Sequence, residues 1–489
     1  MSTPIPPNRA AFTLGQVAEA TGGQLLAGAS GQQVIGVSTD TRSLQEGNLF
    51  VALRGQSHDG HRFLAQAAER GAGALLVQGG AALPGGLAAV RVGDTLMALG
   101  DLAAAFRQRF SFPLIAITGS MGKTSSKELI RAALTACGMR VSASRGNLNN
   151  LVGVPMSLFL LEPGLDAAVL ELGTSAHGEI ARLAGITRPQ VSVVTGGAAA
   201  HTEQLGTVEQ VAREKASLLC ALGPEATAVY NADSPHLADN LQDLSAGRVL
   251  AYGRSTAAAV RLLDCEMTAR PATRCAYQVM ASGLKLEAEL GLIGEGAALN
   301  AAAALAVVLA LGRSAELETA LRGISAVAPV PGRLLPLPGP GNSLLLDDTY
   351  NCNPGSALAS LRSAAVLARV RGGRAIAVLG DMAELGGLSR SEHERVGREA
   401  VQLGVAALVA CGARMRDAAE AARRQAGADR PDGSVTVLHF EEPLRAAGPV
   451  RKLLVPGDVV LVKGSRSMAM ERVLRAIGKG AATDGVSAP

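Results

Sequence analysis

The run Gly119, Ser120, Met121, Gly122, Lys123, Thr124 and Ser125 has the residue types and spacing to hold a phosphate. Its glycines let backbone N–H groups close around an anion. Lys123 supplies a point charge, and the Thr124 hydroxyl can reach a phosphate-bound Mg2+. The longer pattern G-x-x-x-x-G-K-[ST] needs a glycine at 117, where Ile117 stands, so the form present is T-G-x-x-G-K-T. Three further residues could work beside such a loop. Glu171 lies near the end of the apolar run AAVLELG, and His201 lies in a loop of small residues after VSVVT. Lys215 falls on one helical stripe with Val208, Val211, Leu218 and Leu222. An inward lysine is costly unless paired or neutral, and desolvation lowers its pKa. A lysine whose stem packs while its ammonium reaches water fits the same pattern, and both readings stand at this point.

These residues need elements that bring them together. Residues 114–117 read as a strand buried on both faces. Ile130, Ala133, Leu134 and Cys137 then recur at helical spacing, with Gly138 as C-cap. Strands and helices alternate from there, which predicts a mostly parallel sheet with its ligands beyond the carboxyl ends of the strands. That edge would gather Glu171, His201 and the loop. Thr207 and Gln210 have capping-box spacing at the start of the Lys215 helix. Residues 260–290 read as an antiparallel meander and 291–312 as an alanine-rich core helix.

The expected fold is α/β in three domains. They are a small N-terminal α/β domain (1–112), a central mostly parallel-sheet P-loop ATPase domain (113–330) and a C-terminal Rossmann-like domain (331–489). The first domain should have a helix over 14–20, a strand over 34–37, a helix over 65–70 and a strand over 74–77. Its loops bring Asp40, Arg42, Asp59 and His61 near strand ends, which fits a grip on a polar ligand and equally fits ordinary surface turns. A Pro/Gly-rich stretch at 328–342 reads as a hinge. Beyond it LLLDDTYNCNPGS places Asp347 and Asp348 at a strand end and Pro354 at a helix start. The tail from 478 is expected to be disordered.

Bulk composition narrows the function. The chain is 48% hydrophobic and 18% charged, with 2% aromatics and no Trp, so stacking platforms for nucleic acid are not expected. A net charge of +4 with no dense basic cluster fits a small acidic ligand better than a nucleic-acid backbone. Six scattered cysteines without a CxxC pair suggest neither a zinc knuckle nor a disulfide framework. No basic-then-apolar leader opens the sequence, and its longest uncharged run is interrupted by Asn300. A cytoplasmic protein without a membrane span is therefore expected.

Seven segments in order resemble the Mur ligases, ATP-dependent amide ligases of peptidoglycan precursor assembly, over nearly the whole chain. They are TGSMGKT, GNLNNLVGVP, ELGTSAHGEI, AAAHTEQLGT, DDTYNCNP, VLGDMAELG and LVKGSRSM. The NLNN and DMAELG forms favour the branch that joins D-alanyl-D-alanine to UDP-N-acetylmuramoyl-tripeptide. The resemblance implies roles for residues. Gly119 to Ser125, Asn300, Arg333, Asp348, Tyr350 and Asn351 would contact ATP. Thr124 and Glu171 would hold one Mg2+, while Glu171, His201 and a carbamylated Lys215 would hold a second. Lys123, Glu171, His201 and Lys215 would form the catalytic set. Ser38, Thr39, Asp40, Arg42, Asp59, His61, Asn147 and Asn150 would hold the UDP-linked substrate. The chemistry implied is an acyl phosphate made from ATP and captured by the dipeptide amine, in a monomer. The chain departs from the family pattern at Gly196, often Asn; at Gly296, often His; at Ser175, commonly Asn; and at Ser217, where K-x-E is usual. A sister ligase, a folylpolyglutamate-synthase-like ligase and a non-catalytic nucleotide-binding regulator are the alternative functions.

Overall fold

The computed structural model describes residues 3–55, 58–80, 82–197, 202–241, 244–429 and 435–479. The chain builds three main sheets, each flanked by helices.

The first sheet has five strands in the order Gln24–Ala27, Ala89–Val92, Ala74–Gln78, Leu49–Val51, Val37–Ser38, and is parallel except at the Gln24–Ala27 edge. Residues 34–37, expected as one strand, are divided. Gln33–Ile35 pairs with Ala11–Thr13 in a separate ribbon, and Val37 pairs with Leu49. Gly36 makes the break at φ +84, where a Cβ would stand 2.5 Å from Asn48 Nδ2 and 2.6 Å from the Asn8 carbonyl. Only glycine fits that corner.

The second sheet has nine strands. Its loop strand, Leu114–Thr118, is buried along its whole length between Ala167–Glu171 and Val191–Val194. Both neighbours are parallel to it, with Glu171 beside Ile117 and Val194 beside Thr118. That register brings Thr118, Glu171 and Thr195 to one edge of the sheet. The expected meander is present as Val260–Met267, Thr273–Val279 and Lys285–Leu290, antiparallel and appended to the far side. The alanine-rich helix Glu295–Ala310 is buried along most of its length against the loop helix Lys123–Ala136. Alanine there lets two helices approach closely.

The third sheet has six strands, centred on Leu344–Asp348, Val459–Lys463 and Ala375–Gly380 in parallel, with Asp348 beside Lys463. Part of the expected hinge belongs to this sheet. Leu335–Pro338 is its edge strand, antiparallel to Leu344–Asp348. Pro336 and Pro338 share one parity, so the N–H positions they lack face outward and no ladder bond is lost. Only residues 326–334 remain as a connection without a strand or helix.

Candidate active site

The phosphate loop is held open by its own backbone. Gly119 (φ +147) leaves room for Thr195 Oγ1, and Gly122 (φ +80) leaves room for Asn300 Oδ1, which would stand 2.6 Å from an added Cβ. Four residues on three elements tether the loop. Ser120 N–H donates to the Gly196 carbonyl (2.9 Å), and the Thr195 hydroxyl donates to the Met121 carbonyl. Asn300 accepts from the Ser126 hydroxyl (3.1 Å), and Asn353 Nδ2 donates to the Ser120 carbonyl (3.1 Å). Lys123 Nζ donates to the Gly119 carbonyl at 2.5 Å. Burial pushes this ammonium below the usual lysine range, Glu171 opposes the shift, and Arg333 adds to it.

Glu171 closes one side, 2% exposed at the end of its strand. Its Oε2 accepts from the Thr124 hydroxyl (3.1 Å), and Thr124 Oγ1 in turn accepts from Arg333 Nη2 (2.7 Å). The Arg333 guanidinium also lies 4.5 Å from the centre of the Tyr350 ring. Thus a side chain from beyond residue 330 reaches the loop helix. Glu171 Oε1 is buried without a hydrogen bond, although Lys127 Nζ is 3.4 Å away, because that approach lacks hydrogen-bonding geometry. A buried carboxylate whose Oε2 lies beside a threonine hydroxyl on the cleft wall is a donor set that suits a hard cation.

Lys215 is 1% exposed, which decides against a lysine reaching water along its stem. Its pKa is lowered to about 7, chiefly by burial and also by the nearby Lys123 charge, with Glu214 and Glu179 opposing the shift. Among the described residues its Nζ has no hydrogen-bond partner. The neighbouring Glu214 accepts from Gly178 N–H (2.9 Å) and Ile180 N–H (3.0 Å), capping the helix Glu179–Thr187. The capping box of Thr207 and Gln210 starts the lysine helix Val208–Cys220 as expected. His201 lies outside the described residues, and among the described residues no group of three or more His, Cys, Asp or Glu could hold a metal.

The third sheet contributes the opposite wall. Asp348 Oδ2 accepts from the Ser360 hydroxyl and from Lys463 Nζ, both at 2.6 Å. Lys463 Nζ also donates to the Asn351 carbonyl (3.0 Å), so it pins the turn bearing Tyr350 and Asn351. A cleft of about 600 Å3 runs between the walls, lined by Ser120 to Ser125, Glu171, Asn300, Arg333, Asp348, Tyr350 and Asn351. Asn147 and Asn150 line it too.

The six remaining candidates in the first domain do not line this cleft. They form two local groups. Asp40 accepts from Arg42 Nε (3.0 Å) and Nη2 (2.6 Å), which holds its carboxyl below the usual range, while Ser38 and Thr39 lead into that turn. Asp59 Oδ1 lies 2.7 Å from His61 Nδ1, and His61 Nε2 accepts from Gln78 N–H (3.0 Å), so both ring nitrogens are engaged. Among the described residues no hydrogen bond or ion pair joins the two groups.

Thr195, Lys463, Asn353 and Lys127 were not singled out by sequence reasoning. Thr195 depends on strand register, and Lys463 on two strands far apart in sequence. Lys127 had a signal, because Ile130 and Leu134 stand three and seven residues beyond it on the buried stripe.

Three family models match the chain: Mur ligase family, catalytic domain, over residues 33–107; Mur ligase middle domain, over 117–308; and Mur ligase, glutamate ligase domain, over 332–466. The UDP-N-acetylmuramoyl-tripeptide--D-alanyl-D-alanine ligase of Escherichia coli K12 is 37% identical over 443 residues, covering 90% of this chain and 93% of that protein. A crystal structure of MurF from Acinetobacter baumannii is 29% identical with a TM-score of 0.84, covering 98% of this chain and 100% of that one. MurF from Thermotoga maritima, solved in complex with ADP, is 26% identical with a TM-score of 0.78, covering 91% and 97%. With three family models in chain order, these similarities and the three-sheet fold, the chain belongs to the Mur ligase family.

Proposed function

We infer that this chain is an ATP-dependent ligase joining D-alanyl-D-alanine to the terminal carboxylate of UDP-N-acetylmuramoyl-tripeptide, a step of peptidoglycan precursor synthesis. The observation that supports this most is the contact chain Glu171–Thr124–Arg333, which ties a phosphate loop to the third domain across one cleft. The activity named for the relatives fits a site of that form. ATP would lie along residues 119–125, with Asn300, Arg333, Asp348, Tyr350 and Asn351 around it. Ser38, Thr39, Asp40, Arg42, Asp59 and His61 would hold the uridine nucleotide, and Asn147 and Asn150 the inner end of that substrate.

The tripeptide carboxylate attacks the γ-phosphorus, the bond to ADP breaks, and an acyl phosphate forms. The dipeptide amine then adds to the acyl carbon, and phosphate leaves as the amide forms. Two anions must meet in the first step, so positioning and neutralisation dominate. Lys123, the N-terminus of the loop helix and Arg333 supply fixed positive charge there. Thr124 and Glu171 Oε2 would hold one Mg2+, and Glu171, His201 and Lys215 would hold a second. Bound Mg2+ would supply phosphate neutralisation. A Lys215 amine titrating near 7 can take up CO2, forming a carbamate and releasing a proton, which would give an anionic oxygen donor. No described helix is long and apolar enough to cross a membrane, and we place the reaction in the cytoplasm. We propose that the chain acts as a monomer.

ADP release that requires both the UDP-tripeptide and the dipeptide is the assay. Lys123→Ala and Glu171→Ala should each abolish it, and near-parental turnover in either variant would sink the assignment.

A further inference from the structure

Behind Glu171 lies a buried lysine that the chemistry above leaves unused. Lys127 stands one turn beyond Lys123 on the loop helix and is 3% exposed. Its Nζ donates to the Ser144 carbonyl (2.8 Å) and lies 3.0 Å from Glu128 Oε1 and 3.4 Å from Glu171 Oε1. Ser144 closes the cage from the other side. Its hydroxyl accepts from Glu171 N–H (3.1 Å), and its own N–H donates to the Val169 carbonyl (3.0 Å).

The two oxygens of Glu171 therefore face different groups. Oε2 faces the Thr124 hydroxyl and Oε1 faces the Lys127 ammonium. A buried carboxylate is costly to keep ionised without a countercharge, and a glutamate side chain has several rotamers to choose from. An ammonium fixed at the back answers both needs, since its own position is set by the Ser144 carbonyl and Glu128. Lys127 does not line the cleft, and of its three polar neighbours Ser144, Glu128 and Glu171 the last is the one that does.

We propose that Lys127 is a positioning residue for the ligase reaction, holding Glu171 turned so that Oε2 faces Thr124 and the divalent cation. The inference rests on the reading of Glu171 as a cation-holding carboxylate. In the full-length protein, Mn2+ binding to the ADP complex, followed by electron paramagnetic resonance without turnover, tests it. Lys127→Met should weaken Mn2+ binding by about 10-fold or more, the usual effect of removing a partner behind a metal ligand. ADP affinity measured without metal should stay near the parental value. Lys127→Gln, which keeps a donor for the Ser144 carbonyl but removes the charge, should behave the same way and serves if the Met variant folds poorly. Unchanged or tighter Mn2+ binding, or an equal loss of metal-free ADP affinity, would overturn the positioning role. Glu171→Gln separates the two ideas. If it too leaves Mn2+ binding unchanged, the reading of Glu171 falls. If it weakens binding while the Lys127 variants do not, only the role of Lys127 falls.

Discussion

Lys215 is 1% exposed with a pKa lowered to about 7, against an ordinary lysine value of 10.5. Between those two values the unfolded chain binds a proton there that the folded chain does not. Stability from this site therefore rises with pH across that window and is lost below it. Without carbamylation, a neutral replacement of similar shape should stabilise the fold most where the lysine would be charged. In CO2-free buffer, the thermal midpoint of Lys215→Met minus that of the parent should be larger at pH 6 than at pH 9. Equal differences at the two pH values would mean that the amine is not desolvated. The same burial that makes the charged form costly would leave the amine free to take up CO2, so stability and the proposed carbamate would share one cause.

At the scale of elements, the phosphate loop needs two backbone conformations that side chains resist. Gly122 combines a left-handed backbone with the Asn300 side chain beside it, whereas Gly138, at φ +81 past the end of the same helix, has open space around it. Gly122→Ala should raise the KM for ATP by about 10-fold or more, the equivalent of roughly 1.4 kcal/mol. Gly138→Ala meets only the backbone penalty, about 1–2 kcal/mol, and should lower stability while leaving that KM unchanged. An ATP response of the same size in both would show that Asn300 does not shape the loop. The loop strand and loop helix were legible because an apolar run, two glycines and a 3.6-residue stripe agree on them. Residues 34–37 were not, because the corner at Gly36 is set by Asn48 and Asn8 packed around it. Proline in 328–342 suggested a hinge because an edge strand tolerates proline as readily as a loop does. Within the site, Glu171 and Lys215 stood out against apolar surroundings. Thr195, one residue past the pairing of Val194 with Thr118, and Lys463, paired with Asp348, are placed by strand register, which a single sequence does not display.

At the scale of the whole molecule, side chains beyond residue 330 join the phosphate loop, Arg333 at Thr124 and Asn353 at the Ser120 carbonyl. Asn353 has a second task, because its Oδ1 accepts from Ser356 N–H (2.8 Å) and caps the helix Pro354–Val370. Asn353→Asp keeps the cap but turns an acceptor toward the Ser120 carbonyl. Its thermal midpoint should stay within about 2 °C of the parent, since caps of either type serve equally. The KM for ATP should rise several-fold, and an unchanged KM would show that this bridge does not matter for nucleotide binding. Closure over ATP by these bridges would also keep water from the acyl phosphate. The central claim is that one cleft serves ATP, the UDP-tripeptide and a dipeptide together. The most direct measurement is ADP release with ATP and UDP-N-acetylmuramoyl-tripeptide, supplying D-alanyl-D-alanine or each single amino acid in turn, with product mass recorded. Turnover and a product enlarged by the dipeptide are expected only with D-alanyl-D-alanine; turnover with a single amino acid, or none with the dipeptide, would contradict a cleft serving these three substrates.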